Sequence, residues 1–434
     1  QERKNFAQLE TAVENLDDSR SDRTTWILST VDCLEFLNAV RELSDVVVEW
    51  PEGAKLSITH STISFANMKF SVHRMGSWFE VDGEVKLDGK TQLKMAELLR
   101  LVREAKGNFI ALGKEQYVAL TESLKKQLIA LDRIAGGSKT VQLSPFNSTV
   151  VGELEKNGAS VRADKEFRSL QERIARAQVV QATVPETLQA ELRDYQTDGF
   201  EWMMRLASWG AGAVLADDMG LGKTVQTIAV LLARAALGPQ LVVVPASVLF
   251  NWQEELSRFA PSLKRVILNE QGNREQALKD AGKNTVVITT YGLSVIEAEA
   301  ISEKTWATAV YDEAHNIKNR ETKSFKAALE VKADFRILLT GTPLQNHLAE
   351  IWALFEVAVP GLLGSFNRFA DRFVLTIERD KDREQQRLLK RLISPFILRR
   401  TKADVLNELP EKTETTIKVT LSPEERALYE QLRE

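Results

Sequence analysis

The chain has 434 residues, too many for one ordinary core and enough for two or three. With 44% hydrophobic and 27% charged residues and no long apolar run, the composition is that of a globular chain and argues against a membrane span. Lys plus Arg number 57 against 61 Asp plus Glu, a formal net charge of −4, so there is no overall basic footprint and any nucleic-acid contact must be local.

The first residues, QERKNFAQLE, carry no initiator Met and no apolar signal core, and read as a fragment boundary. Apolar rhythm predicts a helix from Trp26 to Leu43, with the lone cysteine, Cys33, as a buried thiol, and DVVVEWPEG then reads as a strand stopped by Pro51 and Gly53. A single cysteine permits no internal disulfide, which fits a reducing compartment such as a bacterial cytoplasm; four scattered histidines, His60, His73, His315 and His347, lack zinc-ligand spacing. Alternation at Leu56 and Ile58, a strand from Trp78 to Val81, a turn at Asp82 and Gly83 and a short strand to Leu87 predict antiparallel hairpins. Helices are expected from Gln92 to Ala105, ending at Gly107, and from a Thr121 cap to Ile134, ending at Gly136 and Gly137. Residues 1–140 thus form a small α+β accessory domain without clustered catalytic groups, an interaction or regulatory module for a protein partner. SKTVQLSPFNS reads as a linker, with a charged helix around Asp164 to Gln178, across 141–185.

From Val184 onward short apolar runs, GAVLAD, QLVVVP, TVVITT, WATAVYDE and FRILLTG, alternate with helical stretches, which is the pattern of buried parallel strands in a doubly wound α/β sheet. Ligands of such sheets sit at the carboxyl ends of the strands. The run AVLADDMGLGKTVQTIAVLL places a glycine-containing loop between a strand and an apolar helix. Gly220 and Gly222 would let backbone N–H groups approach phosphates, Lys223 would reach the β and γ phosphates, and Thr224 would hold Mg2+. The G-x-x-x-x-G-K-T pattern is not strictly met, because its first glycine falls on Asp217. In WATAVYDEAHNIKN a strand runs into Asp312 and Glu313; after a phosphate loop on the same sheet, one carboxylate is expected to hold the Mg2+ shell and the other to activate water. RILLTGTPLQNHLAEIWALFEV ends a strand in Thr340 and Thr342, either a cap and turn for the next helix, a bond to a carboxylate or neighbouring lobe, or both.

Taken in order, LRDYQTDGFEWM, DDMGLGKTVQTIAVL, VVPASVLFNWQEEL, ITTYGLS, VYDEAHNIKN and LLTGTPLQN resemble the first-lobe motifs of Swi/Snf-type superfamily 2 DNA-dependent ATPases, over about Leu188 to Pro410. The resemblance implies a RecA-like ATP-binding lobe over 186–395 with a helical protrusion at about 350–390, then an inter-lobe junction and the start of a truncated second lobe over 396–434. It implies ATP and Mg2+ as ligands, duplex DNA as the track, and translocation or remodelling as the output; a superfamily 2 unwinding helicase or a nucleotide-gated interaction module are the alternatives. Carried across, it makes Gln196 the adenine contact and Asp217, Asp218, Met219, Gly220, Leu221, Gly222, Lys223 and Thr224 the phosphate cradle, with Asp312 at the metal and Glu313 as base. Thr340, Gly341 and Thr342 would couple hydrolysis to DNA, and Pro245, Ala246, Ser247, Thr289, Thr290 and Tyr291 would lie near the DNA backbone. Ser247 is equally explained as a helix cap, and Trp252 is expected in the core. The cluster Lys390, Arg391, Arg399, Arg400 and Lys402 is either a solvated face or a brace toward nucleic acid. Without the second lobe's arginines, worth about 10³ to 10⁵ in rate in phosphoryl transfer, slow turnover is expected.

Overall fold

The computed structural model describes residues 28–40, 47–50, 56–59, 62–75, 78–87, 92–113, 115–134, 140–177, 179, 181–341, 347–405 and 422–433. Two compact units divide the chain, Gln1–Arg399 and Arg400–Glu434, and the second contributes the helices Lys402–Val405 and Pro423–Arg433. Trp26, Leu43, Pro51, Gly53, His60, Gly136, Gly137 and Thr342 lie outside the described residues.

The first unit opens with an α+β module. Its main sheet runs Gln92–Lys94, Trp78–Lys86, Met68–Met75, Ser160–Ala163, with Val141–Leu143 also paired to Trp78–Lys86; all pairs are antiparallel except Met68–Met75 with Ser160–Ala163. A smaller sheet joins Ser57–Ile58, Gln116–Ala119 and Phe109–Ala111. Helices Met95–Arg103 and Glu122–Ile134 pack on one another and close a core built on Phe70, Val72, Val81, Leu98, Leu128 and Phe167. Thr121 caps the second helix, its Oγ1 accepting from the N–H of Leu124.

Several expectations are corrected here. Asp82 and Gly83 make no turn: Trp78–Lys86 is one continuous strand whose hairpin partner is Met68–Met75. Gly83 is there for closeness, since a Cβ would lie 2.8 Å from Met95 Cε and 3.2 Å from the Lys69 carbonyl oxygen. Gln92–Lys94 is strand, and the helix starts only at Met95. Val47–Trp50 form no strand. The Thr30–Val40 helix leaves the Cys33 thiol half-buried. The segment read as a linker supplies Val141–Leu143, Ser160–Ala163 and the helix Lys165–Ala177 to this module; strands of three or four residues were too short to carry a readable period.

The rest of the unit is built on a parallel sheet of seven strands, numbered in chain order: β1 Ala213–Leu215, β2 Gln240–Val244, β3 Lys264–Ile267, β4 Thr285–Thr290, β5 Thr308–Tyr311, β6 Arg336–Leu339 and β7 Ile397–Leu398. Their order across the sheet is β3-β4-β2-β5-β6-β1-β7, every pair parallel. The five strands read from apolar runs are the inner ones, buried on both faces, as parallel sheets covered by helices require. Both edge strands were missed. β3 is half polar, KRVI, and β7 is a two-residue strand formed by the residues read as the junction. After β6, helices Leu348–Ala358 and Arg383–Ile393 flank a π-helical stretch, Ala370–Arg379, and bury Trp352, Phe369 and Phe373. Phe146 of the module packs edge-on against Phe396 and at a tilt against Trp209, and Asn147 Nδ2 donates to the Leu362 carbonyl at 3.2 Å, a contact between the α+β module and the helical protrusion.

Candidate functional site

The carboxyl ends of β1, β5 and β6 bring the chemistry-bearing residues together. β1 is fully buried and leads through Ala216 and Asp217, also fully buried, into the loop 218–222 and then into the helix Lys223–Arg234. Gly220 and Gly222 have φ of +88° and +75°, the left-handed region that a side chain disfavours. At Gly222 a Cβ would also stand 2.4 Å from Gln196 Nε2, so that position admits no side chain without displacing Gln196. Asp217, which stands at the first glycine of the usual pattern, buries its carboxylate within 3.5 Å of Gln226 Nε2 on the following helix.

Gln196 lies in the helix Asp194–Trp209, buried, its Oε1 accepting from the N–H of Arg193 at 3.0 Å and its Nε2 donating to the Leu221 carbonyl at 3.2 Å. The Tyr195 hydroxyl donates to the same carbonyl at 3.2 Å. These two side chains clasp the loop. Lys223 donates its ammonium to the carbonyls of Asp217 (2.7 Å) and Asp218 (3.4 Å). Burial lowers the Lys223 pKa, opposed by the charges of Glu313, Asp217, Asp312 and Asp218. Thr224, half-buried, follows it. Met219, exposed, lies beside Gly341, where a Cβ would meet its Cγ at 3.1 Å.

Asp312 ends β5. Its Oδ2 accepts from Trp252 Nε1 at 2.7 Å, its Oδ1 from the N–H of Glu313 at 2.8 Å, and its carbonyl from the Tyr291 hydroxyl at 2.7 Å. Glu313 has φ +46°, rare for a residue with a side chain and typical of a constrained functional turn. Its carboxylate lies 3.3 Å from His315 Nδ1 and its carbonyl accepts from Asn316 Nδ2 at 2.8 Å. On the Leu249–Phe259 helix, one turn from Trp252, burial raises the Glu255 pKa and the negative charge of Asp312 raises it further. Thr340, buried, follows β6 and donates its N–H to the Leu215 carbonyl at 3.1 Å, tying the end of β6 to β1.

The residues expected near a DNA backbone divide. Ala246 and Ser247 are exposed and Pro245 half so, just beyond β2. Ser247 does not cap: the helix begins at Leu249 with Val248 before it and no side-chain cap. Thr290 is half-buried and its Oγ1 caps the short helix Tyr291–Ile296. Thr289 and Tyr291 turn their side chains inward: Thr289 is fully buried, and the Tyr291 hydroxyl is used by Asp312, burial pushing its pKa far up. Lys390, Arg391, Arg399 and Lys402 are exposed. Trp252 is core, as expected, yet its indole N–H serves the site, a contact that composition alone did not signal beyond the need of a buried Trp N–H for an acceptor.

A lysine-bearing helix N-terminus after the first strand of a parallel sheet, facing two carboxylates at the end of another, defines a nucleotide-binding α/β lobe. The profile of the SNF2-related domain matches residues 195–434, and the chain belongs to that family. It is 42% identical over 286 residues to YwqA of Bacillus subtilis, covering 63% of this chain and 31% of that protein. It is 32% identical over 392 residues to an uncharacterized ATP-dependent helicase of Mycoplasma genitalium, covering 87% of this chain and 38% of that one. The ISWI chromatin-remodeling complex ATPase CHR11 of Arabidopsis thaliana is 39% identical over 258 residues, 58% of this chain and 24% of its own length. The chain therefore spans between 24% and 38% of the length of these relatives. Among solved structures, the Sulfolobus solfataricus SWI2/SNF2 ATPase core in complex with dsDNA is similar at 43% identity and a TM-score of 0.49, over 58% of this chain and 54% of that one. Among the described residues no helix is long and apolar enough to cross a membrane.

Proposed function

We propose that the chain is part of an ATP-driven motor that moves along, or remodels assemblies on, double-stranded DNA, working in a cytoplasm, with the α+β module as the seat of a protein partner. The observation that carries this reading is the Lys223 ammonium at the start of a helix, donating to the Asp217 and Asp218 carbonyls of a loop built on left-handed Gly220 and Gly222, with the charges of Asp312 and Glu313 acting on it. Carboxylates whose charges act on one half-buried cation supply hard oxygen donors, which would suit Mg2+. Thr224 and Asp312 would hold the ion, which when bound offsets charge on the transferring phosphoryl group.

The chain's own residues do the rest. Left-handed Gly220 and Gly222 let the backbone of the loop approach phosphate oxygens closely, and Lys223 exchanges its loop carbonyls for the β and γ phosphates. Gln196 and Tyr195 fix the loop and border the adenine side. Glu313 takes the proton from the attacking water, its carboxylate steadied by His315. Thr340 and Gly341, with Thr342, pass the change at the γ phosphate toward the track, while Pro245, Ala246, Ser247 and Thr290 meet the DNA backbone, contacts that position without reading sequence. Membership of a family that includes a chromatin-remodeling ATPase supports the DNA half of this reading.

The test is steady-state ATP turnover by the full-length protein of which this chain is part, without nucleic acid and with duplex DNA, single strands or RNA, Glu313→Gln serving as control. Stimulation chiefly by duplex supports the motor reading. Preference for single strands or RNA replaces it with an unwinding helicase, and equal rates throughout replace it with a nucleotide-gated module.

A further inference from the structure

Asp312 receives hydrogen bonds from two segments that do not belong to its own strand. Trp252 comes from the helix that follows β2 and the exposed turn 245–247; Tyr291 comes from the end of β4, next to Thr290. Both donors are buried, Trp252 at 2% exposure and Tyr291 at 7%, and both distances are 2.7 Å. β2 lies between β4 and β5 in the sheet, so the two donors and the acceptor sit at neighbouring carboxyl ends, although Trp252 and Asp312 are 60 residues apart in sequence.

The two contacts constrain different things. The indole N–H occupies Oδ2 and the Glu313 N–H occupies Oδ1, which fixes the plane of the carboxylate. The phenol holds the Asp312 carbonyl, and therefore the peptide plane that enters Glu313 at φ +46°. We propose that Trp252 and Tyr291 are positioning residues that link the two segments facing the DNA backbone to the metal-side carboxylate and the water-activating glutamate. The inference rests on the roles proposed above for Asp312, Glu313, 245–247 and Thr290, and it assigns to two residues outside the phosphate loop the coupling of track and chemistry. A shift of the turn 245–247 on a duplex moves the Leu249–Phe259 helix and the indole with it; a shift at Thr290 moves the phenol. Either one reorients Asp312 without a chain of intermediates, because each donor is one hydrogen bond from it.

Trp252→Phe removes the N–H and keeps most of the ring; Tyr291→Phe removes only the hydroxyl. In the full-length protein, three quantities are measured for each: affinity for a fluorescent ATP analogue with EDTA and with Mg2+, affinity for a duplex, and the ratio of turnover with and without that duplex. Partners of metal ligands typically matter by about 10- to 100-fold. Trp252→Phe is expected to keep analogue affinity in EDTA and duplex affinity within about twofold, while losing about tenfold of the Mg2+-dependent gain and at least as much of the duplex stimulation. Tyr291→Phe is expected to lose stimulation with a smaller change in the Mg2+ response, since it holds the backbone and not the carboxylate. Wild-type Mg2+ dependence and wild-type stimulation in both variants overturn the proposal, and so does a loss of duplex affinity equal to the loss of stimulation, which marks a structural role. If one variant fails to fold, the other decides. Absence of duplex stimulation in the wild type refutes the motor reading, and the coupling with it, whereas the EDTA and Mg2+ comparison still judges the positioning of Asp312.

Discussion

The parallel-sheet region and the α+β module differ in how they use their polar residues. In the sheet region the strand interiors are sealed and the chemistry is gathered at one end, so Asp217, Asp312 and Glu313 act on Lys223 although they follow two different strands, and Thr340 at the end of β6 is tied to β1 beside them. In the module the strands alternate buried and exposed residues along antiparallel pairs, polar side chains spread over the outer faces, and the ion pairs there, such as Arg168 with Glu155 at 2.7 Å, hold the module's own elements together. Parallel strands all deliver their loops to the same edge; antiparallel ones send every second loop away. That difference gathers the chemistry-bearing side chains in one region and spreads those of the other over its surface.

The comparison can be broken in four places, in decreasing order of effect. Glu313→Gln should cut turnover by about 10² to 10⁴ with analogue affinity nearly unchanged, because a general base is lost and the cradle is not; retained turnover in a steady-state assay would remove Glu313 from the chemistry. Gly222→Ala combines a φ of +75° with a 2.4 Å approach to Gln196 Nε2, so it should lower stability by about 1–3 kcal/mol in a denaturant titration and weaken analogue binding as well. Gly83→Ala in the module meets the flexible end of Met95 but also the Lys69 carbonyl oxygen at 3.2 Å, and should cost about 1 kcal/mol by the same titration with no change in turnover. A change in turnover there would show that the module acts on the site. Arg168→Met removes a partly exposed pair and should lower the module's stability by less than about 1 kcal/mol. The pair also has a pH signature: Arg168 depresses the Glu155 pKa, so its contribution is present above the ordinary glutamate range and fades as pH falls through the lowered value, and wild type and variant should converge in acid.

Where the sequence was legible follows the same division. GAVLAD, QLVVVP, TVVITT, WATAVYDE and FRILLTG each hold a strand because a short apolar core runs through them, and contiguous motifs at their ends bring Lys223 and the Asp312–Glu313 pair to one place. Trp252 and Tyr291 as partners of Asp312 were not legible, since they are 60 and 21 residues away and only the order of strands puts them together. The inward turn of Thr289 and Tyr291 was missed for a related reason: a strand end looks exposed in sequence, and its neighbours decide whether it is. In the module, Gly83 was mistaken for a turn because a glycine after an aspartate has two uses, reversal and close approach, that read alike.

β7 has a mechanical consequence. Its two residues pair with Val214 and Leu215, and the Ala216 N–H donates to the Leu398 carbonyl at 2.7 Å, the last backbone tie before the loop that cradles Lys223. The approach to that loop is thus anchored to the sheet's edge strand through backbone alone, whatever side chains stand at 397 and 398.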